Sequence, residues 1–210
     1  MNILRRPFRY SYFNATLILI GLNILIFLGQ RFFFRGNYLT LLLAMTPAAV
    51  LNGGIWQLFS YMFVHASPSH IFFNMFGLFI FGVQVEQRMG SREFLLFYLL
   101  TGTLAGAFSF VFLLLTGSYW TILLGASGAI FAVELAFACF FPNTLIYIWG
   151  ILPLRAPVMV LGYTGLELFF SITGYRSGTA HFTHLAGFAF AWLYFLVRYG
   201  QNPWKLLTRR

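Results

Sequence analysis

Very few side chains in this sequence can carry chemistry. Ser127 lies in Gly125-Ala126-Ser127-Gly128, and His184 lies in His181-Phe182-Thr183-His184-Leu185-Ala186-Gly187. A serine between small residues at the start of a helix has an uncrowded hydroxyl. The first-turn N–H groups beside it lack intrahelical acceptors and point at whatever binds there. The helix dipole favours developing negative charge at the same place. Those are the needs of a nucleophile next to an oxyanion site. A capping serine with packing glycines has the same pattern, so the motif alone does not separate the two readings. A nucleophilic serine needs a base, and His184 is the best candidate, with Gly187 one turn on to let a neighbouring helix close in. His181 lies one turn shallower and reads as interfacial.

His70 and Asn74 stand four residues apart, on one helical face. They suit either an anion or polarised carbonyl, or a buried tie between helices. The chain has no Asp and only four Glu residues. Glu86 and Glu93 fall at the far end of the helices. Glu134 comes seven residues after Ser127, about 10 Å deeper by helical rise, and Glu167 is expected at similar depth. No acid is expected to orient His184, so Ser127 and His184 read as a dyad rather than a triad. A mutual pairing of Glu134 with Glu167 is a guess that depth alone suggests.

The elements that position these residues are set by composition. Of 210 residues, 60% are hydrophobic and 8% charged, with a mean hydropathy of +0.82. Soluble domains carry roughly 25% charged residues, so the surface is built for lipid. Apolar runs of about 20 residues suffice to span it. Spans are expected over Ala15–Phe34, Ser67–Arg88, Glu93–Leu115, Ser127 to Pro142, Val158–Thr173 and Thr179–Arg198. The fold class is therefore an all-α polytopic membrane protein with six transmembrane helices, one membrane domain over residues 1–210 with short basic tails. Arg35–Ala66, broken by Gly36, Pro47, Gly53 and Gly54, is too polar for a simple span. Gly102, Gly106, Gly128, Ala132, Ala136, Gly187 and Ala191 recur at helix-packing spacing.

The net charge of +9 sits at the ends of apolar runs, which encodes topology rather than nucleic-acid binding. Arg5, Arg6, Arg9, Arg88, Arg92, Arg155, Arg198, Lys205, Arg209 and Arg210 fall on one side, and Arg31, Arg35 and Arg176 on the other. Both termini are thus expected in the cytoplasm. No small-residue cleavage site follows the basic N-terminus, so no removable signal peptide is expected. The single cysteine, Cys139, makes no intramolecular disulfide.

Taken in order, these motifs resemble the rhomboid family of intramembrane serine proteases, over about residues 56–191. The stretch from Trp56 to His65 resembles the family's first loop. His70-x-x-x-Asn74 resembles its oxyanion pair, Glu86-x-Arg88-x-Gly90 the end of its second helix, Gly125-Ala126-Ser127-Gly128 its nucleophile motif, and His184-x-x-Gly187 its histidine and packing glycine. The resemblance implies a six-helix rhomboid-like bundle in which Ser127 is nucleophile and His184 general base. It implies oxyanion stabilisation by His70, Asn74 and the Ser127 amide, with Gly125 shaping the loop. Phe131 takes the place of an aromatic ring against the histidine, and Gly128 and Gly187 support the packing. The implied substrates are transmembrane proteins in the bilayer, cut near the outer membrane face, and no metal or soluble cofactor is expected. Gln57 stands where the family commonly has Arg, and Ala191 where it commonly has a second glycine. A bacterial cytoplasmic membrane is the expected location. Two other readings compete: a catalytically silent client-binding relative, against which stand Ser127 and His184 themselves, and a proton-linked transporter or channel using Glu134 and Glu167, against which stands the lack of an inverted repeat.

Overall fold

The computed structural model describes residues 5–33, 37–148, 150–173 and 180–209. Phe34, Arg35, Gly36, Arg176, Thr179 and Arg210, named above, lie outside the described residues. The first long helix, α1 (Ala15–Leu28), widens into a π turn over Gly29–Phe33. Its N-terminal residue Asn14 makes no side-chain cap. Glu86 from another helix takes that role: its carboxylate accepts the N–H groups of Ala15 at 2.6 Å and Thr16 at 2.8 Å, and also the hydroxyl of Ser91. Orphan helix-end donors are thereby satisfied inside the bundle.

The polar stretch that follows is no span. It folds as three short helices, α2 (Tyr38–Leu43), α3 (Pro47–Leu51) and α4 (Gln57–Ser60), and a 3₁₀ turn over Tyr61–Phe63. Trp56 Nε1 donates to the Leu42 carbonyl at 2.8 Å. The buried Gln57 amide donates to the Leu41 carbonyl at 2.9 Å and accepts the Thr46 N–H at 3.1 Å. A neutral amide therefore anchors this segment with no ion pair at that position. Tyr61 reaches the Gly102 carbonyl with its hydroxyl at 2.8 Å. A Cβ on Gly106 would lie 2.5 Å from the Tyr61 ring, and one on Gly102 would lie 2.7 Å from Met62 Cε. These two glycines make room for the loop at least as much as for a neighbouring helix.

Ser67 caps α5 (Pro68–Gly77) by accepting the His70 N–H at 3.1 Å, with Pro68 in the first turn. A π turn, Leu78–Gly82, passes the helix on into α6 (Val83–Met89). Gly90, at φ +84°, makes the sharp turn into α7 (Ser91–Leu115). Next comes α8 (Ser127–Phe140), buried on nearly every face and packed against α7 and the later helices. A helix apolar all round belongs at the centre of a bundle, and its Gly128, Ala132 and Ala136 let neighbours close in.

An antiparallel hairpin, β1 (Leu145–Ile148) with β2 (Leu152–Arg155), pairs Leu145 with Arg155 and joins α8 to α9 (Ala156–Thr173). Hydropathy reading leaves this hairpin unseen, because it treats the segment only as a gap between spans. The last long helix is α10 (Ala180–Tyr194), extended by a π turn over Phe195–Tyr199, and α11 (Pro203–Leu207) follows. At this end Glu93 accepts from Arg198 Nε at 2.7 Å, Tyr194 Oη at 2.5 Å and the Phe8 N–H at 3.0 Å.

Among the described residues, four helical stretches are long and apolar enough to cross a membrane: Ala15–Phe33, Pro68–Met89, Ser91–Leu115 and Ala156–Thr173, while Ser127–Phe140 is a shorter apolar helix. Leu25, Phe72, Phe76, Phe79, Leu166 and Phe169 are exposed on the outside. Polar partners stay inside and apolar side chains outside, which is the arrangement of a multi-pass membrane protein.

Candidate active site

The loop before α8 ends at Gly125, whose φ is +111°. That backbone conformation suits glycine, and a Cβ there would lie 2.8 Å from the His70 ring. The Gly125 N–H is held by the Tyr61 carbonyl at 3.0 Å. The docked 3₁₀ turn thus fixes the loop, and the loop delivers Ser127 to the first position of α8. The N–H groups of that first turn lack intrahelical acceptors.

Across from it, α10 brings His184. Its Nε2 lies 2.7 Å from Ser127 Oγ. The helices approach this closely because of glycine: a Cβ on Gly187 would sit 2.0 Å from the Gly128 carbonyl oxygen. Gly128 in turn faces Thr183, whose hydroxyl pairs with Ser109 of α7 at 2.7 Å. Phe131 stacks on the His184 ring, with centroids 4.2 Å apart and planes 7° from parallel. Phe188 meets Phe131 edge-on at 5.1 Å. The imidazole is therefore stacked on one face, which fixes the plane of its ring.

His70 and Asn74 join the same place from α5. With Ser127, Phe131, Glu134 and His184 they line a cavity of about 300 Å³. Asn74 donates one amide hydrogen to the His70 carbonyl at 2.8 Å. The edge of the His70 ring meets His65 at 5.1 Å. His65 itself is buried, and its ring nitrogens have no hydrogen-bond partner among the described residues. Burial, with the neighbouring His70 second, pushes its pKa down to about 3.

All eight residues singled out in the sequence, Ser127, His184, His70, Asn74, Gly125, Phe131, Gly128 and Gly187, fall within this one site. One group departs from the expectation that no acid orients His184. Glu167 of α9 lies with Oε1 3.0 Å from His184 Nδ1 and Oε2 2.5 Å from His181 Nδ1. His181 is therefore tied into the bundle, not merely interfacial. Glu167 and Glu134 do not pair: Glu134 Oε2 is buried without a hydrogen-bond partner, while Glu167 has turned to the histidines. A signal for this was present, an ionisable residue alone in apolar Leu166-Glu167-Leu168, opposite two histidines one turn apart.

A family model, the Rhomboid domain, matches residues 52–201. The chain belongs to the rhomboid family. This rhomboid is 34% identical over 94 residues to Rhomboid protease GlpG of Haemophilus influenzae, covering 44% of this chain and 48% of that one. It is 28% identical over 190 residues to Rhomboid protease AarA of Providencia stuartii, covering 82% and 68%. Against RHOMBOID-like protein 12, mitochondrial, of Arabidopsis thaliana it is 29% identical over 160 residues, covering 67% and 46%. The matched stretch is thus about half the length of the Haemophilus relative. The rhomboid match takes in every residue of the cavity described above.

Proposed function

We propose that this rhomboid is an intramembrane serine endopeptidase that cuts transmembrane proteins near the outer membrane face. The observation that carries the reading is the 2.7 Å contact between Ser127 Oγ and His184 Nε2 at a cavity inside an apolar bundle. His184 Nε2 takes the Ser127 proton as Oγ attacks the scissile carbonyl carbon. The oxyanion that forms is met by the first-turn N–H groups of α8, with His70 and Asn74 on the other side. The imidazolium then gives its proton to the leaving amine as the C–N bond breaks. Water attacks the acyl-enzyme, His184 takes the water's proton and returns it to Ser127, and the acid product leaves. A scissile bond within a helix is shielded by its own hydrogen bonds, so the substrate must unwind locally. Segments with small or helix-breaking residues are the expected targets.

The supporting context is the rhomboid match and relatives named as proteases. We read the apolar runs as six crossings, an even number that puts both termini on one side, and the ten-to-three bias of basic residues assigns that side to the cytoplasm. The test is labelling of the purified full chain by a fluorophosphonate probe. Wild type is expected to label, and Ser127→Ala and His184→Ala to lose at least about 10⁴-fold in rate while keeping their fold. A well-folded wild type that resists the probe would favour a client-binding protein instead.

A further inference from the structure

The carboxylate of Glu167 holds two imidazoles at once. Its two oxygens are divided between them, Oε1 to His184 Nδ1 at 3.0 Å and Oε2 to His181 Nδ1 at 2.5 Å. The two histidines sit one turn apart on α10, so a single side chain from α9 spans both. Glu167 and His184 are mostly shielded, with 15% and 14% of their side-chain surfaces exposed. On its other nitrogen, His184 meets Ser127 at 2.7 Å. An unbroken line therefore runs from carboxylate through imidazole to hydroxyl, across three helices.

We infer that Glu167 is a positioning residue that makes the Ser127–His184 pair a three-membered Ser–His–Glu relay. The inference rests on the proteolytic reading of the same site. A carboxylate only accepts hydrogen bonds. It therefore fixes the proton of His184 on Nδ1 and leaves the Nε2 lone pair aimed at the Ser127 hydroxyl. That tautomer is the one a general base requires. When Nε2 takes the serine proton, the ring becomes a cation, and the charge of Glu167 lies one hydrogen bond away. In a site walled by apolar helices that attraction is worth more than in water. No proton passes to Glu167; it stays a carboxylate throughout. His181 occupies the second oxygen, which keeps the first turned towards His184. Phe131 holds the ring's plane and Glu167 its rotation about that plane, so the two constraints are complementary.

Tying α9 to α10 is the rival role for the same contacts, and the experiment must separate the two. The full chain in lipid nanodiscs is labelled with a fluorophosphonate over a range of probe concentrations, for wild type, Ser127→Ala, Glu167→Gln and Glu167→Asp. In Glu167→Gln the maximal labelling rate should fall about 10³-fold, with the half-saturating concentration and the melting temperature little changed. The ¹⁵N signals of His184 should move from the Nδ1–H to the Nε2–H tautomer, because the amide can donate to Nδ1. Glu167→Asp keeps the charge and should recover to within about tenfold of wild type, and it replaces Glu167→Gln if that variant does not fold. Labelling of folded Glu167→Gln at the wild-type rate, or a lower melting temperature with an unchanged rate and tautomer, would overturn the inference. Wild type that fails to label, or labelling that survives Ser127→Ala, would instead sink the proteolytic reading on which it rests.

Discussion

At one end of the bundle, Glu86 and Glu93 bind backbone N–H groups, a serine and a tyrosine hydroxyl and an arginine. At the other end, Glu167 binds two histidines. All three carboxylates are drawn in from helices by the same need, since an unpaired charge inside an apolar bundle is costly. The difference lies in the donors. Backbone amides and Arg198 do not change protonation state near neutral pH, so the first arrangement can only hold helices together. An imidazole has a second nitrogen, and that of His184 faces a hydroxyl beside a cavity. The same residue type is a rivet where its partners are inert and a lever on reactivity where its partner can take a proton.

If that contrast is sound, damage at the two ends should separate into loss of rate and loss of stability. Beyond the three residues of the reacting line itself, the largest effect is expected from Gly187→Ala, at the reactive end. Its new methyl would meet the Gly128 carbonyl oxygen at 2.0 Å, backbone against backbone, and the helices must part. A displacement on the order of 1 Å between serine and histidine costs about 10²-fold in labelling rate, along with about 3 kcal/mol of stability from overpacking. A folded Gly187→Ala protein that labels normally would break the claim that this helix contact sets the site.

Glu93→Gln should do the opposite. It leaves the Arg198 guanidinium without its carboxylate, at about 3 kcal/mol. Thermal unfolding should register this, while the labelling rate of the folded protein stays within about twofold, since well-separated sites act independently. A large fall in that rate would show that the two ends are coupled.

The smallest effect at neutral pH belongs to His65, buried beside His70 at the reactive end. Its native pKa is about 3 against an ordinary value of 6.5. Between those values the unfolded chain holds a proton that the native chain does not. Stability is therefore expected to fall as pH is lowered from about 6.5 towards 3, and His65→Gln should make the fall shallower. Parallel curves for the two proteins would remove His65 from the account.

Much of the site was legible in the chain itself, for a local reason. A helical period places His70 with Asn74 and sets Gly187 one turn from His184, and Ser67-Pro68 announces where α5 begins. Those relations need only the geometry of one helix. Helix positions were legible too, since lipid demands long apolar runs, and four of the six expected spans are long and apolar enough to cross a membrane among the described residues. Gln57 could be read as a departure, but its three hydrogen bonds to the α2–α3 segment depend on how that segment folds back. The hairpin over β1 and β2 was invisible because four-residue strands leave almost no mark on hydropathy.

By itself, the sequence determined that the protein lives in lipid, roughly where its helices run, and which serine and histidine could react. That a carboxylate meets this histidine, and that it is Glu167, was decided by tertiary structure. Depth along a helix follows from counting residues, and by that measure Glu134 and Glu167 were equivalent. Rotation of one helix about its axis relative to its neighbour does not follow from counting. It is set by packing, and here the packing turns Glu167 of α9 onto α10 and leaves Glu134 facing the cavity.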